Sequence, residues 1–411
     1  MKPKVVITGR GLVTPLGNGL DANMDALKAA RSGTVFIPKW KEMNLDSQVA
    51  GWADENPECP VLTRKNMRFM SPNSKMAVAA AYEAITEAGY TPETLPGKEM
   101  AVINGCAGSA YGEVYDTIKI FDNCRRMSRV TPFSVPRIMP SSAVSNLSLV
   151  FGITGESYDI SCACTSSAMA IIAGARLIES GQYDLVLVGG SEEVSWGQAL
   201  GFNAMRALSR NYNDVPGTAS RPFDKTRDGF VIAAGAGMIL LESEVHARKR
   251  GARILTHLSG YATNSNAVDM VLPSADSSAD VMAAAVRSAG LSPSDITYIN
   301  THGTSTPAGD PVEMEAIKRV FGANGELAIN STKALTGHMI GAAGAVEAIF
   351  CSLMMEHSFV CESANLKEPE EEFAWADIVR KNREGVKISH SLSNSFGFGG
   401  TNASLVFSKA D

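Results

Sequence analysis

The cysteines of this chain do not form a paired set. There are seven, an odd number scattered from Cys59 to Cys361, and none has Cys-x-x-Cys spacing. That excludes a disulfide framework and the usual structural zinc site. No stretch reaches the run of about eighteen apolar residues that a membrane-spanning helix needs, and no targeting leader precedes the first strand, so no membrane partner is expected. Positive charge is not in excess. A net charge of −6 offers nucleic acid no attractive field, and an acidic partner would have to be met by a local basic patch. Histidine is scarce, six in all, and nothing resembles H-x-x-x-H with a carboxylate, so no simple metal motif is present. These absences describe a soluble protein in a reducing, cytoplasmic setting.

What is present is a chain of 411 residues, 45% hydrophobic, with 37 glycines. That is enough for two or three domain-sized units of an α/β protein with tight turns and close packing. Residues 4–8 read as a strand ending in a turn at Gly9-Arg10-Gly11, and residues 71–88 as a long Ala-rich helix. A buried strand at 100–104 ends in a small-residue run at 105–109. Residues 110–150 hold helical segments interrupted by Pro132, Pro136 and Pro140. The stretch 156–180 organises the rest. Tyr158 to Ser161 reads as a short buried strand and Met169 to Glu179 as a helix. Ala168, Ile171, Ile172, Ala175 and Ile178 fall on one apolar side of that helix. Cys162 and Cys164 sit in the turn between. A thiol there lies near free helix N–H groups and the positive end of the dipole, which favour the nucleophilic thiolate. The same residues also suit a small apolar cysteine packed at a crowded turn.

Beyond a strand at 185–188, a variable region to about residue 220 and an apolar run at 231–241, the pattern restarts. A strand at 297–300 precedes His302 and a helix from about 312 to 320. A strand at 328–330 leads through a turn with Lys333 and His338 into a helix from about 344 to 356, where Val346, Phe350, Leu353 and Met354 form an apolar face. Strand, small-residue turn, long buried helix thus occurs at 157–180 and again at 328–356. We read two similar halves, 1–250 and 251–411, with their central helices adjacent and both reactive turns opening on one place.

His302 and His338 each follow a strand among Gly, Ser and Thr, where α/β folds place their sites. With a cysteine at the matching turn, they suit nucleophilic catalysis assisted by imidazoles. Lys333 and Glu313 suit either charge tuning of that site or a buried structural ion pair. The Gly-rich turn at 391–402 lacks the lysine of a phosphate-binding loop and opens no dinucleotide unit. Backbone N–H groups aimed inward from it would make an oxyanion hole.

Four motifs in this order, DISCACTSSA, NTHGTSTPAGD, STKALTGHMIGAAGAVEA and SNSFGFGGTNA, resemble the β-ketoacyl-acyl-carrier-protein synthases of the thiolase-like superfamily. The resemblance covers essentially the whole chain, including RPFDKTRDGFV at 221–231. It is nearest the elongating Cys-His-His type, and within it synthase I, through RFMS at 68–71, YND at 212–214 and DMVLPS at 269–274. It implies a duplicated five-layered αβαβα fold, a homodimer, no cofactor and no metal. It implies that Cys164 accepts the acyl group and that His302 and His338 hold the malonyl thioester. Lys333 would be paired with Glu313, the N–H groups of Cys164 and Phe398 would form the oxyanion hole, and Thr304 and Thr306 would bind the phosphopantetheine arm. The reaction implied is decarboxylative condensation in fatty acid elongation.

Some positions depart from the family pattern. Cys162 stands where relatives carry Ser or Thr, and in a strand-like turn it would face away from Cys164. Gly108 falls where synthase II has a bulky residue gating the acyl pocket, so the entrance would be open there, with Phe396 also on the substrate side. A thiolase would want a second cysteine where Phe396-Gly397-Phe398 stands. An initiating synthase would replace His338 by Asn, and a chain-length factor would lack Cys164. A synthase II-type or polyketide-type ketosynthase remains the alternative. For the acidic carrier protein, the resemblance points to docking at Lys65 and Arg68. Arg125, Arg126 and Arg129 form a second basic cluster that suits either docking or a solvated face.

Overall fold

The computed structural model describes residues 3–410 except 109, 324 and 326. Its main sheet runs, edge to edge, Ser157–Ile160, Met100–Gly105, Leu185–Glu192, Gly235–Ser243, Val5–Thr14, Thr256–Ser265, Thr401–Lys409, His390–Phe396, Tyr298–Asn300, Ala328–Asn330 and Asp377–Ile378. The first five strands pair parallel at the outside and antiparallel toward the middle. The next five repeat that scheme in mirror order and in the same chain order. The fold is therefore duplicated, and the two sets meet through a short antiparallel contact of Val5–Ile7 with Thr256–Leu258.

Helices complete five layers. Pro72–Glu87 and Ser142–Phe151 pack on the outer face of the first set of strands, and Ala275–Ser288 on that of the second. Between them lie Ser166–Glu179 and Ala343–His357, in contact with each other and with strands of both sets. The apolar stripe expected on the first central helix is buried along its length. Its counterpart goes further: Ala343 to Met355 are buried on every side, not on one face. The two helices cross closely at Gly344, where a Cβ would lie 3.0 Å from the Ala168 backbone nitrogen and Cβ, and Ser167 Oγ accepts from Ala345 N at 2.9 Å.

Four local expectations are corrected. Gly9 to Gly11 is not a turn: the strand continues to Thr14. A Cβ on Gly11 would stand 1.9 Å from the Ala80 carbonyl oxygen and one on Gly9 2.0 Å from that of Ala84, so these glycines let the Ala-rich helix lie directly on the sheet. The strand before the nucleophile, Ser157–Ile160, is not buried, because it is an edge with a partner on one side only. The apolar run at 231–241 divides. Gly235–Ser243 joins the sheet, while Ile232 and Ala233 pair instead with the turn that carries His338. The stretch read as variable contains the helix Trp196–Ala204.

Candidate active site

Cys164 sits two residues before the first turn of Ser166–Glu179. The turn around it is held by its own short polar side chains, which accept and donate where the helix cannot. Cys162 N donates to Ser166 Oγ at 2.9 Å, while Thr165 and Ser166 hydroxyls donate to the carbonyls of Cys162 and Ala163. Ala163 takes a left-handed φ of 48°, a conformation that few residues other than Gly adopt and that functional turns often retain.

His302 follows strand Tyr298–Asn300. Its backbone N–H and that of Gly303 donate to the two oxygens of Glu313, at 2.8 and 2.7 Å, and Asn394 adds a third bond to that carboxylate. His338 follows the short helix Lys333–Thr336. Its N–H donates to Val231 O at 2.7 Å, and its carbonyl accepts from Ala233. The duplicated topology thus brings Cys164, His302 and His338 together, with one sulfur or nitrogen atom of each within 4.8 Å of the others. The imidazoles meet edge to face at 5.1 Å, and Phe230 and Phe396 pack against them.

The environment sets the charge states. The Cys164 thiol is pushed up to about 12 by burial, which outweighs the Lys333 charge and the Phe398 N–H that both favour thiolate. The helix terminus therefore does not leave a resting thiolate, contrary to the sequence expectation: the site is packed closely enough that desolvation wins. Burial and then Lys333 hold both histidines well below the ordinary imidazole range, so both rings are neutral. His338 Nδ1 and Nε2 and His302 Nδ1 have no protein partner among the described residues. Lys333 is buried and pairs with Glu347, not with Glu313. Glu313 is occupied by backbone N–H groups, while Glu347, one turn into the second central helix, faces Lys333. Burial lifts Glu347 to about 7 against that pairing.

Above these groups opens a cavity of about 340 Å³. Thr304 and Thr306 line it, with hydroxyls 3.1 Å apart, as do Phe396 and Phe398. The N–H of Phe398 favours the Cys164 thiolate. Neither Cys162 nor Gly108 is among its lining residues. Gly108 instead donates to Glu192, and a Cβ there would lie 2.9 Å from that carboxylate and 3.0 Å from Tyr111. Absence of a side chain at 108 thus accommodates Glu192 and Tyr111 and does not open this cavity, and Ser109 lies outside the described residues. Lys65, Arg68, Arg125, Arg126 and Arg129 are all exposed and line no part of the cavity. Arg68 lies over the rings of Phe69 and Phe133, and Arg125 pairs with Asp122.

Sequence reading missed several supports. Asp310 accepts from Phe223, Ser305 and Thr306 N–H groups and lies against Arg227, so the 221–231 segment holds the threonine loop. Glu192 accepts from Ala107, Gly108 and Gly341, joining the two halves behind the nucleophile. Glu347, an acidic residue set within the apolar stretch from Ala345 to Phe350, was the available signal for the Lys333 partner.

Comparison with known proteins shows the family. Residues 2–247 match the family described as "Beta-ketoacyl synthase, N-terminal domain" and residues 255–367 the corresponding C-terminal domain. The chain is 39% identical over 409 residues to 3-oxoacyl-(acyl-carrier-protein) synthase 1 of Haemophilus influenzae, covering 99% of each. It is 37% identical over 415 residues to 3-oxoacyl-(acyl-carrier-protein) synthase 2 of Vibrio harveyi, again covering 99% of each. A crystal structure of a β-ketoacyl synthase from Burkholderia phymatum superposes with a TM-score of 0.94 over all of both chains, at 34% identity.

Proposed function

This chain belongs to the β-ketoacyl synthase family, and from that premise we propose that it condenses an acyl group with a malonyl group, both delivered on acyl-carrier protein, in fatty acid elongation. The observation that carries this reading is the meeting of the Cys164 thiol with two neutral imidazoles from the other half of the fold, His338 buried and His302 half-buried. In the first half-reaction Cys164 attacks the acyl thioester, its proton passes to the departing carrier thiol, and the acyl chain stays on sulfur. The N–H groups of Cys164 and Phe398 stabilise the oxyanion. In the second, His302 and His338 donate to the malonyl thioester oxygen, which suits neutral rings. Loss of CO2 leaves its bonding electrons in an enolate held by those donors. The enolate carbon attacks the Cys164 thioester, and collapse releases the 3-oxoacyl product and the sulfur, which takes a proton from solvent to return to the thiol. Removing one such donor typically costs about 100- to 1000-fold in rate. Lys333, neutralised by Glu347, tunes the rings. Glu313 fixes the His302 backbone, Thr304 and Thr306 bind the pantetheine arm, and Phe396 packs His302. No cofactor enters this scheme.

Carrier protein docks, in this reading, on Lys65 and Arg68, with Arg125, Arg126 and Arg129 as a second contact. We divide the chain at about residue 250, between helix Glu244–Lys249 and strand Thr256–Ser265, and read it as a homodimer of the cytoplasm. Free cysteines throughout fit that compartment, and among the described residues no helix is long and apolar enough to cross a membrane. Near-equal identity to relatives named synthase 1 and synthase 2 keeps a synthase II role as a second reading. Intact-mass labelling with an acyl donor tests the assignment. One acyl group per chain is expected on wild type and none on Cys164→Ala; acylation that persists in the variant overturns it.

A further inference from the structure

The same three side chains make a donor set of another kind. A tetrahedral zinc ion binds thiolate sulfur at about 2.3 Å and imidazole nitrogen at about 2.0–2.1 Å, which sets ligand atoms about 3.4–3.6 Å apart. Here the three candidate atoms lie within 4.8 Å of one another, so closure asks for small side-chain rotations only. The ring nitrogens are available: His338 has neither nitrogen engaged and His302 has Nδ1 free of protein partners among the described residues. Neutral imidazole is the ligating form. A fourth position faces the cavity that Cys164, His302 and His338 all line. The nearest cation, Lys333, is paired with Glu347.

We propose that Cys164, His302 and His338 form a reversible inhibitory site for Zn2+, which silences the nucleophile when it carries no acyl group. Binding replaces the S–H bond by S–Zn. The thiol proton leaves to solvent, no electron is transferred, and each ion bound releases one proton. Affinity is moderate by construction. Resident zinc sites orient each ligating histidine through a carboxylate or carbonyl on its other nitrogen, whereas His338 has no such partner and Lys333 lies close by. An acyl thioester on Cys164 removes the thiolate ligand, so acylation and zinc binding exclude each other. The effect on turnover rests on the function proposed above; coordination itself does not.

Titration of the full-length protein with Co2+, then displacement by Zn2+, tests this. One equivalent of Co2+ is expected to produce a near-ultraviolet sulfur-to-cobalt charge-transfer band and visible bands of a tetrahedral ion, both erased by Zn2+. Cys164→Ser should weaken binding by more than about 100-fold, because loss of even an outer partner of a zinc ligand costs about 10- to 100-fold. Cys162→Ser should keep the band, since Cys162 lies outside the cavity lining. Wild type carrying an acyl group on Cys164 should show no band, which keeps the test open if Cys164→Ser misfolds. Zn2+ should also slow acyl transfer until a chelator is added. A band that survives in Cys164→Ser, or vanishes in Cys162→Ser, overturns the site; full acyl transfer at saturating Zn2+ overturns its inhibitory role. Acylation of Cys164→Ala would defeat the proposed function while leaving the cobalt band as an independent readout of coordination.

Discussion

At the scale of single residues, burial outranks the local field. Cys164 has a helix terminus, a lysine and a backbone N–H all favouring its anion, yet desolvation keeps it a thiol. The same desolvation keeps His302 and His338 neutral. Their folded pKa values lie below the unfolded one, so they favour the folded state fully only above the unfolded imidazole pKa of 6.5. As pH falls below it the unfolded chain takes up protons that the folded protein refuses, and stability is lost. Wild type should therefore lose more Tm between about pH 7 and pH 5.5 than a His302→Asn/His338→Asn variant does; equal losses would contradict neutral rings. Lys333 and Glu347 make a second prediction. Lys333→Met leaves Glu347 buried without a cation, and breaking a buried pair from one side costs about 3–5 kcal/mol. Glu347 can escape part of that cost by protonating, since burial already lifts it to about 7. The penalty, read by denaturant unfolding, should thus shrink as pH falls below that value.

Between elements, contact is set by missing side chains. The Ala-rich helix Pro72–Glu87 touches strand Val5–Thr14 through its own backbone carbonyls at Gly9 and Gly11. Gly11→Val drives a side chain into the Ala80 carbonyl, and overpacking of this kind costs about 1–3 kcal/mol or more. A lowered Tm is expected, and Ala80→Gly should not rescue it, because the obstacle is backbone. The crossing of the central helices at Gly344 follows the same rule. It matters more for chemistry, since one of these helices begins just after Cys164 and the other begins five residues after His338.

For the whole molecule, surface and charge carry the remaining predictions. Strand Ser157–Ile160 has one unpaired edge, an invitation to pair with another chain. It is flanked by helix Ser142–Phe151, whose Leu149 is 78% exposed. Sedimentation should give a dimer mass, and Leu149→Asp should shift it toward the monomer; an unchanged mass would place the contact elsewhere. Under the docking proposed above, Arg68→Glu should raise KM for carrier-bound acyl substrates and spare small acyl thioesters, because Arg68 is exposed and lines no part of the cavity. Equal effects on both would remove Arg68 from docking.

Periodicity and turn chemistry are local, and so they were legible. The two central helices, the strand-turn-helix repeat and the three reactive side chains could be read from spacing and from resemblance. Contacts between residues distant in the chain were not. Lys333 reads as a partner for Glu313 until the fold sets Glu347 against it. Gly9 and Gly11 read as a turn until a helix from residues 72–87 lies across them. The Cys164 thiol shows the physical reason most plainly. Its helix dipole follows from the chain near it, but its desolvation is the sum of groups brought together from both halves, and only the tertiary structure decides which of the two is larger.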